Sequence, residues 1–298
     1  MDMKPSKATE LELTPAGRKL YGATNPGEGV WCERTTPLSD AEVEEVVSLI
    51  ADARVARDTI VLPERLRTRH WESITRVLLE LDTRRGLTPI GWKIGAASEA
   101  VRAAEGMPEP SPGRLYEGTV FESDVVLGDD LFINYRNNEC EFAFTMGRDL
   151  SPREGGYSEE EVADAVEVMT LAIEVGDTVF SDWYGASGYL GSSLDNGGGA
   201  ALVHSAPIND WRNVDLPNAR IDVYLNDTWV KSGLGEAAMG HPLTSLTWLV
   251  NWLSARGITL SAGEIVSTGT CTGHCFAAPG DRVRAVFDGL GEVSLRYA

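Results

Sequence analysis

Three glutamates stand where they could hold a divalent cation. In Asn138-Glu139-Cys140-Glu141-Phe142-Ala143-Phe144 the residue types alternate as in a half-buried strand. Successive strand side chains face opposite ways, so Glu139 and Glu141 share one face while Cys140, Phe142 and Phe144 share the other. Two neighbouring carboxylates in water need no explanation. Partly buried, they require a cation or a raised pKa. Glu174 lies in Leu171-Ala172-Ile173-Glu174-Val175, and a carboxylate inside an apolar strand needs a partner. Three carboxylates without His or Cys form a hard oxygen set, suited to Mg²⁺ or Mn²⁺ rather than zinc.

Lys93, in Gly91-Trp92-Lys93-Ile94-Gly95, is either a snorkelling edge residue or a functional amine. Asp195-Asn196-Gly197-Gly198-Gly199 and Gly269-Thr270-Cys271-Thr272-Gly273 read as turns, or as loops whose backbone amides hold an anion. His70 and Glu72 could form an acid–base dyad, although His70, His204 and His241 also read as structural. Cys271, His274 and Cys275 form an incomplete soft-metal set whose spacing fits no standard zinc pattern.

Several elements must position these groups. Ser39 and Glu42 form a capping box before an amphipathic helix from Asp40 to about Arg57, and a second helical pattern runs from about Glu64 to Arg85. Residues 1–37 lack periodicity and read as an arm. Pro89–Gly95 reads as a short strand, 96–130 as loop-rich, and Leu131–Met146 as strand, turn, strand. A second capping box, Ser158 and Glu161, predicts a helix to about Thr170, followed by a buried strand at Leu171–Val175. Arg220–Lys231 reads as a hairpin around Asn226-Asp227, Pro242–Gly257 as a helix, and three strands close the chain. The expected division is 1–87, an arm and helical layer, and 88–298, a catalytic domain.

The 298 residues are enough for a packed core. A net charge of −19 argues against nucleic acid or an anionic membrane as partner. No run of about 18 apolar residues predicts a membrane span, and the first residues have no apolar leader core. A cytoplasmic location with free thiols is therefore expected.

Taken in order, several motifs resemble one family. They are Glu139-x-Glu141, Glu174, Asp195-Asn196, Gly240-His241-Pro242-Leu243 with Trp248-Leu249, Gly263-Glu264-Ile265-Val266 with Gly269, and Pro279-Gly280-Asp281. The pattern is similar to the 2-keto-4-pentenoate hydratase and 4-oxalocrotonate decarboxylase branch of the fumarylacetoacetate hydrolase superfamily, over roughly residues 88–298. The resemblance implies an α+β fold with a curved mixed β-roll and a small helical N-terminal layer. It implies Mg²⁺ or Mn²⁺ on Glu139, Glu141 and Glu174, Lys93 as the active-site lysine, and substrate contacts from Leu115, Asp195, Asn196 and Thr270. The substrate would be a 2-hydroxydienoate or related 2-oxo acid, the reaction a hydration through an enolate, and the assembly a homo-oligomer. Decarboxylation or acylpyruvate hydrolysis uses the same enolate, and a hydrolase would want a lid dyad such as His70 and Glu72. A non-catalytic partner subunit is the third reading. The chain departs from the pattern at Gly118, where Glu117 is the replacement candidate for general acid/base, and at Val179, where an arginine is usual.

Overall fold

The computed structural model describes residues 32–181 and 188–298, with only the backbone at 104 and 105. Most of the expected N-terminal arm lies outside these residues. Helix α1 (Asp40–Ala56) begins at the Ser39–Glu42 capping box and ends at Arg57 in a left-handed conformation. Helix α2 (Trp71–Arg85) is shorter than its sequence pattern. Residues 64–66 form a separate turn of 3₁₀ helix, and His70 adopts the extended backbone of an N-cap, its ring accepting from Ser73 N.

After the helices come β1 (Pro89–Gly95), α3 (Glu99–Glu105), β2 (Ser111–Tyr116), β3 (Val120–Glu122), β4 (Val125–Leu127), β5 (Asn137–Met146), α4 (Glu159–Ala163) and β6 (Val166–Gly176). The second capping box therefore opens only a short helix, because β6 claims the chain from Val166. The stretch 96–130, expected as loop-rich, carries one helix and three short strands. The remainder is α5 (Gly188–Leu194), β7 (Gly199–His204), β8 (Arg220–Leu225), β9 (Thr228–Leu234), α6 (Pro242–Ser254), β10 (Ile265–Ser267), β11 (Cys275–Phe276), β12 (Arg282–Phe287) and β13 (Gly291–Tyr297). Asn226 and Asp227 both have positive φ, 49° and 63°, as the tight hairpin turn requires.

The strands form two sheets. One is mixed, in the order β2-β1-β10-β5-β6-β7-β3, with β11 also on β5; the other runs β4-β13-β12-β8-β9. Their facing sides share a core that includes Cys140, Phe142, Phe144, Ile173, Val175, Val283, Phe287 and Leu295, with α6 packed against it. Apolar burial of this extent supplies most of the fold's stability. A second cluster joins Val43, Val46 and Ile50 of α1 and Ile74 and Val77 of α2 to Tyr135, Val179, Phe180, Leu190 and Leu194. The helical layer thus packs on the segments that flank the acidic face of β5 and β6. Gly91 is required where β1 meets β10, because a Cβ there would lie 2.1 Å from Ile265 O. All four cysteines are free, and no helix among the described residues is long and apolar enough to cross a membrane.

Candidate active site

Strands β5 and β6 pair antiparallel with Glu139 opposite Glu174 and Glu141 opposite Ala172. Both strands turn alternate residues into the core, so the three glutamates emerge together on the other face. One oxygen from each lies within 4.8 Å of the others. Among the described residues, no other group of three or more His, Cys, Asp or Glu is close enough to hold an ion. The incomplete set Cys271, His274 and Cys275 does not close around one.

Glu141 is fully buried. Its Oε2 accepts from Ser267 Oγ at 2.6 Å and Gly269 N at 2.8 Å, while Oε1 is buried with no partner. An orphaned carboxylate oxygen beside two others is the donor set of a hard cation. Burial, with the charges of Glu174 and Glu139 adding to it, pushes the Glu141 carboxyl well above its usual range. Glu174 is also raised by burial, which the adjacent Lys93 offsets only in part. Glu139 goes the other way: burial is outweighed by His274, with Lys93 adding, and the net shift is downward. A bound cation removes the conflict among the three.

Lys93 is 2% exposed. Its ammonium lies 3.3 Å from Glu174 Oε1 and donates to the carbonyl of Gly197. His274 Nδ1 lies 2.7 Å from Glu139 Oε1, and its Nε2 lies 2.7 Å from the Tyr189 hydroxyl. The imidazole stacks on the Tyr189 ring at 5.9 Å. Lys93, Glu139, Glu174, His274, Tyr189 and Ser111 line one cavity, and Ser111 Oγ is buried there without a partner. Thr270 lines it too, its hydroxyl accepting from Gly273 N at 2.8 Å.

The other expected site residues are placed elsewhere. Glu117 is exposed after β2, its amide fixed to Thr88 O at 2.9 Å, and does not line the cavity. The end of the β1–β2 ladder holds it at the surface, away from the carboxylates. Asp195 is fully buried and accepts from Arg54, Thr178 and Val179. It ties α1 to the loop behind Lys93 and has no face on the cavity. Asn196 is likewise a staple: its Oδ1 accepts from Arg114 N at 2.6 Å and its Nδ2 donates to Arg114 O at 3.0 Å. Backbone at Gly197 and Gly198 lines the cavity in its place. Leu115 packs with Ala143, Ala172 and Leu202. His70 caps α2, and Glu72 is exposed, 3.7 Å from Arg256. Neither reaches the cavity. Residues that sequence reasoning did not assign to the site, His274, Tyr189, Tyr135 and Ser111, come from four separate segments and share no periodic signal.

Residues 101–296 match the family described as fumarylacetoacetate (FAA) hydrolase C-terminal. The chain belongs to the fumarylacetoacetate hydrolase family. This family member is 28% identical over 294 residues to 2-keto-4-pentenoate hydratase 1 of Dechloromonas aromatica (strain RCB), covering 98% of this chain and 100% of that one. It is 29% identical over 221 residues to 2-hydroxyhexa-2,4-dienoate hydratase of Comamonas testosteroni, covering 74% and 82%. Among solved structures it resembles 4-oxalocrotonate decarboxylase from Pseudomonas putida G7, complexed with magnesium and adipate, with a TM-score of 0.78, 25% identity, and coverage of 89% and 100%. The mixed sheets with a helical layer are the α+β fold of this family.

Proposed function

We propose that this chain is a divalent-metal-dependent hydratase of a 2-hydroxy-2,4-dienoate. The carrying observation is the buried, unpartnered Oε1 of Glu141 between two further carboxylates and beside a buried lysine. Glu139, Glu141 and Glu174 would hold Mg²⁺ or Mn²⁺. When bound, the ion supplies a Lewis acid that favours the enolate of a 2-oxo acid.

The chain's own groups do the rest. Ser267 and Gly269 N fix the orientation of Glu141, and His274, held by Tyr189, fixes Glu139. The Lys93 ammonium lies beside Glu174 on the cavity and would hold the substrate carboxylate or move a proton. Glu117 is too far out to share that task, so Lys93, Ser111 and the His274–Tyr189 pair are the candidates for proton handling. Ala96, Ala97 and Val101 give the cavity an apolar wall. A homo-oligomer in the cytoplasm completes the proposal, and sedimentation velocity measures the first part.

The test follows loss of dienoate absorbance after chelation and Mg²⁺ titration, with Glu141→Ala beside wild type. Activity that survives chelation, or equal Mg²⁺ affinity in the variant, overturns the reading. The resemblance to a decarboxylase structure favours one alternative, C–C cleavage at the same site. Release of CO₂ in step with absorbance loss would select it over hydration.

A further inference from the structure

On the far side of Glu174 lies a second cavity, of about 180 Å³. At about 30 Å³ per water, it has room for a small polyatomic ion. Arg54, Arg57, Arg85 and Arg114 line it, against two carboxylates, Asp130 and Glu174. This concentration of positive charge sits in a chain of net charge −19. Glu174 is the only described residue lining both this cavity and the active site.

Two of the arginines are already engaged. Arg57 donates to the carbonyls of Asp129, Asp130 and Phe132. Arg114 donates to Asp82 at 3.1 Å and to Glu264 at 3.4 Å, with its guanidinium 3.6 Å above the Trp92 ring. The other two retain unused donors. Arg54 gives Nε to Asp195 at 2.6 Å, yet its Nη2 is buried with no acceptor. Arg85 lies 4.8 Å over the Tyr116 ring, and its Nη1 is also buried with no acceptor. Buried donors normally find partners. Burial, and after it the charge of Arg54, draws the Arg85 guanidinium below its ordinary value. Two guanidinium groups on one cavity, each with a buried N–H that lacks an acceptor, suit an oxyanion, which such forks bind in bidentate fashion.

We propose that the cavity lined by Arg54 and Arg85 binds a small oxyanion, a phosphate or a carboxylate, as a site distinct from the metal centre. The site is also coupled to the active site through a loop. Arg54 holds Asp195, the first residue of the loop whose Gly197 carbonyl receives the Lys93 ammonium. An anion on Nη2 of Arg54 therefore fixes the loop that fixes the lysine. The proposal is independent of the enolate reading, because binding is measured on metal-free protein.

The probe is inorganic phosphate, titrated into the chelated chain at constant ionic strength, with thermal unfolding and ³¹P line width as readouts. Wild type and Lys93→Met bind it. Arg85→Gln binds about tenfold more weakly or not at all, and Arg85→Lys, which keeps charge and loses the fork, falls between. Arg54 is left intact because Asp195 depends on it. A parallel arm uses the Mg²⁺-loaded enzyme with mono- and dicarboxylic dienoates. A KM increase of about tenfold in Arg85→Gln, confined to the dicarboxylate, identifies the anion as the far end of the substrate. Phosphate binding without that increase identifies a free anion. Equal phosphate binding by wild type and Arg85→Gln, loss of binding in Lys93→Met instead, or no effect in either arm overturns the site.

Discussion

Replacing Asp195 by Asn tests whether this residue serves the fold or the substrate. The carboxylate is fully buried and accepts three bonds, from Arg54 Nε at 2.6 Å, Thr178 Oγ1 at 2.7 Å and Val179 N at 2.9 Å. The substitution keeps the shape, removes the charge and turns an acceptor into a donor facing donors. Breaking a buried pair by removing one partner costs about 3–5 kcal/mol, because the other charge is left without compensation. At about 2–4 °C per kcal/mol for chains of this order of size, Tm should fall by roughly 6–20 °C. Calorimetry or circular dichroism at pH 7 reads this directly. A double variant, Arg54→Met with Asp195→Leu, should recover much of the loss, since no lone buried charge remains. The pH dependence has a definite sign. Burial alone would raise the Asp195 carboxyl, but Arg54 and the three bonds outweigh it and hold the carboxyl below its usual value. A depressed folded-state pKa stabilises above the unfolded value of about 3.9 and ceases to do so as pH falls through the folded one. The gap between wild type and Asp195→Asn should be flat through the neutral range and close below about pH 4. A Tm within about 2 °C of wild type, together with a large loss of activity, would refute the structural role and restore the substrate contact that the sequence suggested.

Three more outcomes are expected. Glu117→Gln should leave kcat/KM within about twofold of wild type, because the exposed side chain lies off the cavity; steady-state kinetics decide it. Ser267→Ala removes the 2.6 Å bond that orients Glu141 and should weaken Mg²⁺ binding about 10–100-fold by calorimetric titration, with the fold retained. Gly91→Ala places a Cβ against the Ile265 carbonyl and should destabilise by about 2 kcal/mol or more in urea, since backbone on both sides must move.

Local patterns carried the floor of the site. Alternation in Glu139–Phe144 puts two carboxylates on one face, and the third follows because an apolar strand cannot hide Glu174 alone. The turn at Asn226-Asp227 was equally legible, since those residue types tolerate positive φ. The walls were not. His274, Tyr189 and Ser111 reach the cavity from three segments distant in sequence, and no local pattern ties a residue to a partner that far away. The Asp195-Asn196 pair shows the limit from the other side. Its residue types suit an anion loop, yet Arg54 and Arg114, distant in sequence, turn both into internal fasteners. Boundaries failed where tertiary demand overrode a start signal: a capping box at Ser158 opens a helix, but pairing in β6 stops it at Ala163.

The pairing of β5 with β6 has one more consequence. Ligands and core occupy opposite faces of the same two strands, so the acidic face and the packed face share a single register. A slip of one residue would turn the glutamates into the core and bring Phe142, Phe144 and Ile173 out in their place. The acidic floor is thus set by the same pairing that builds the core.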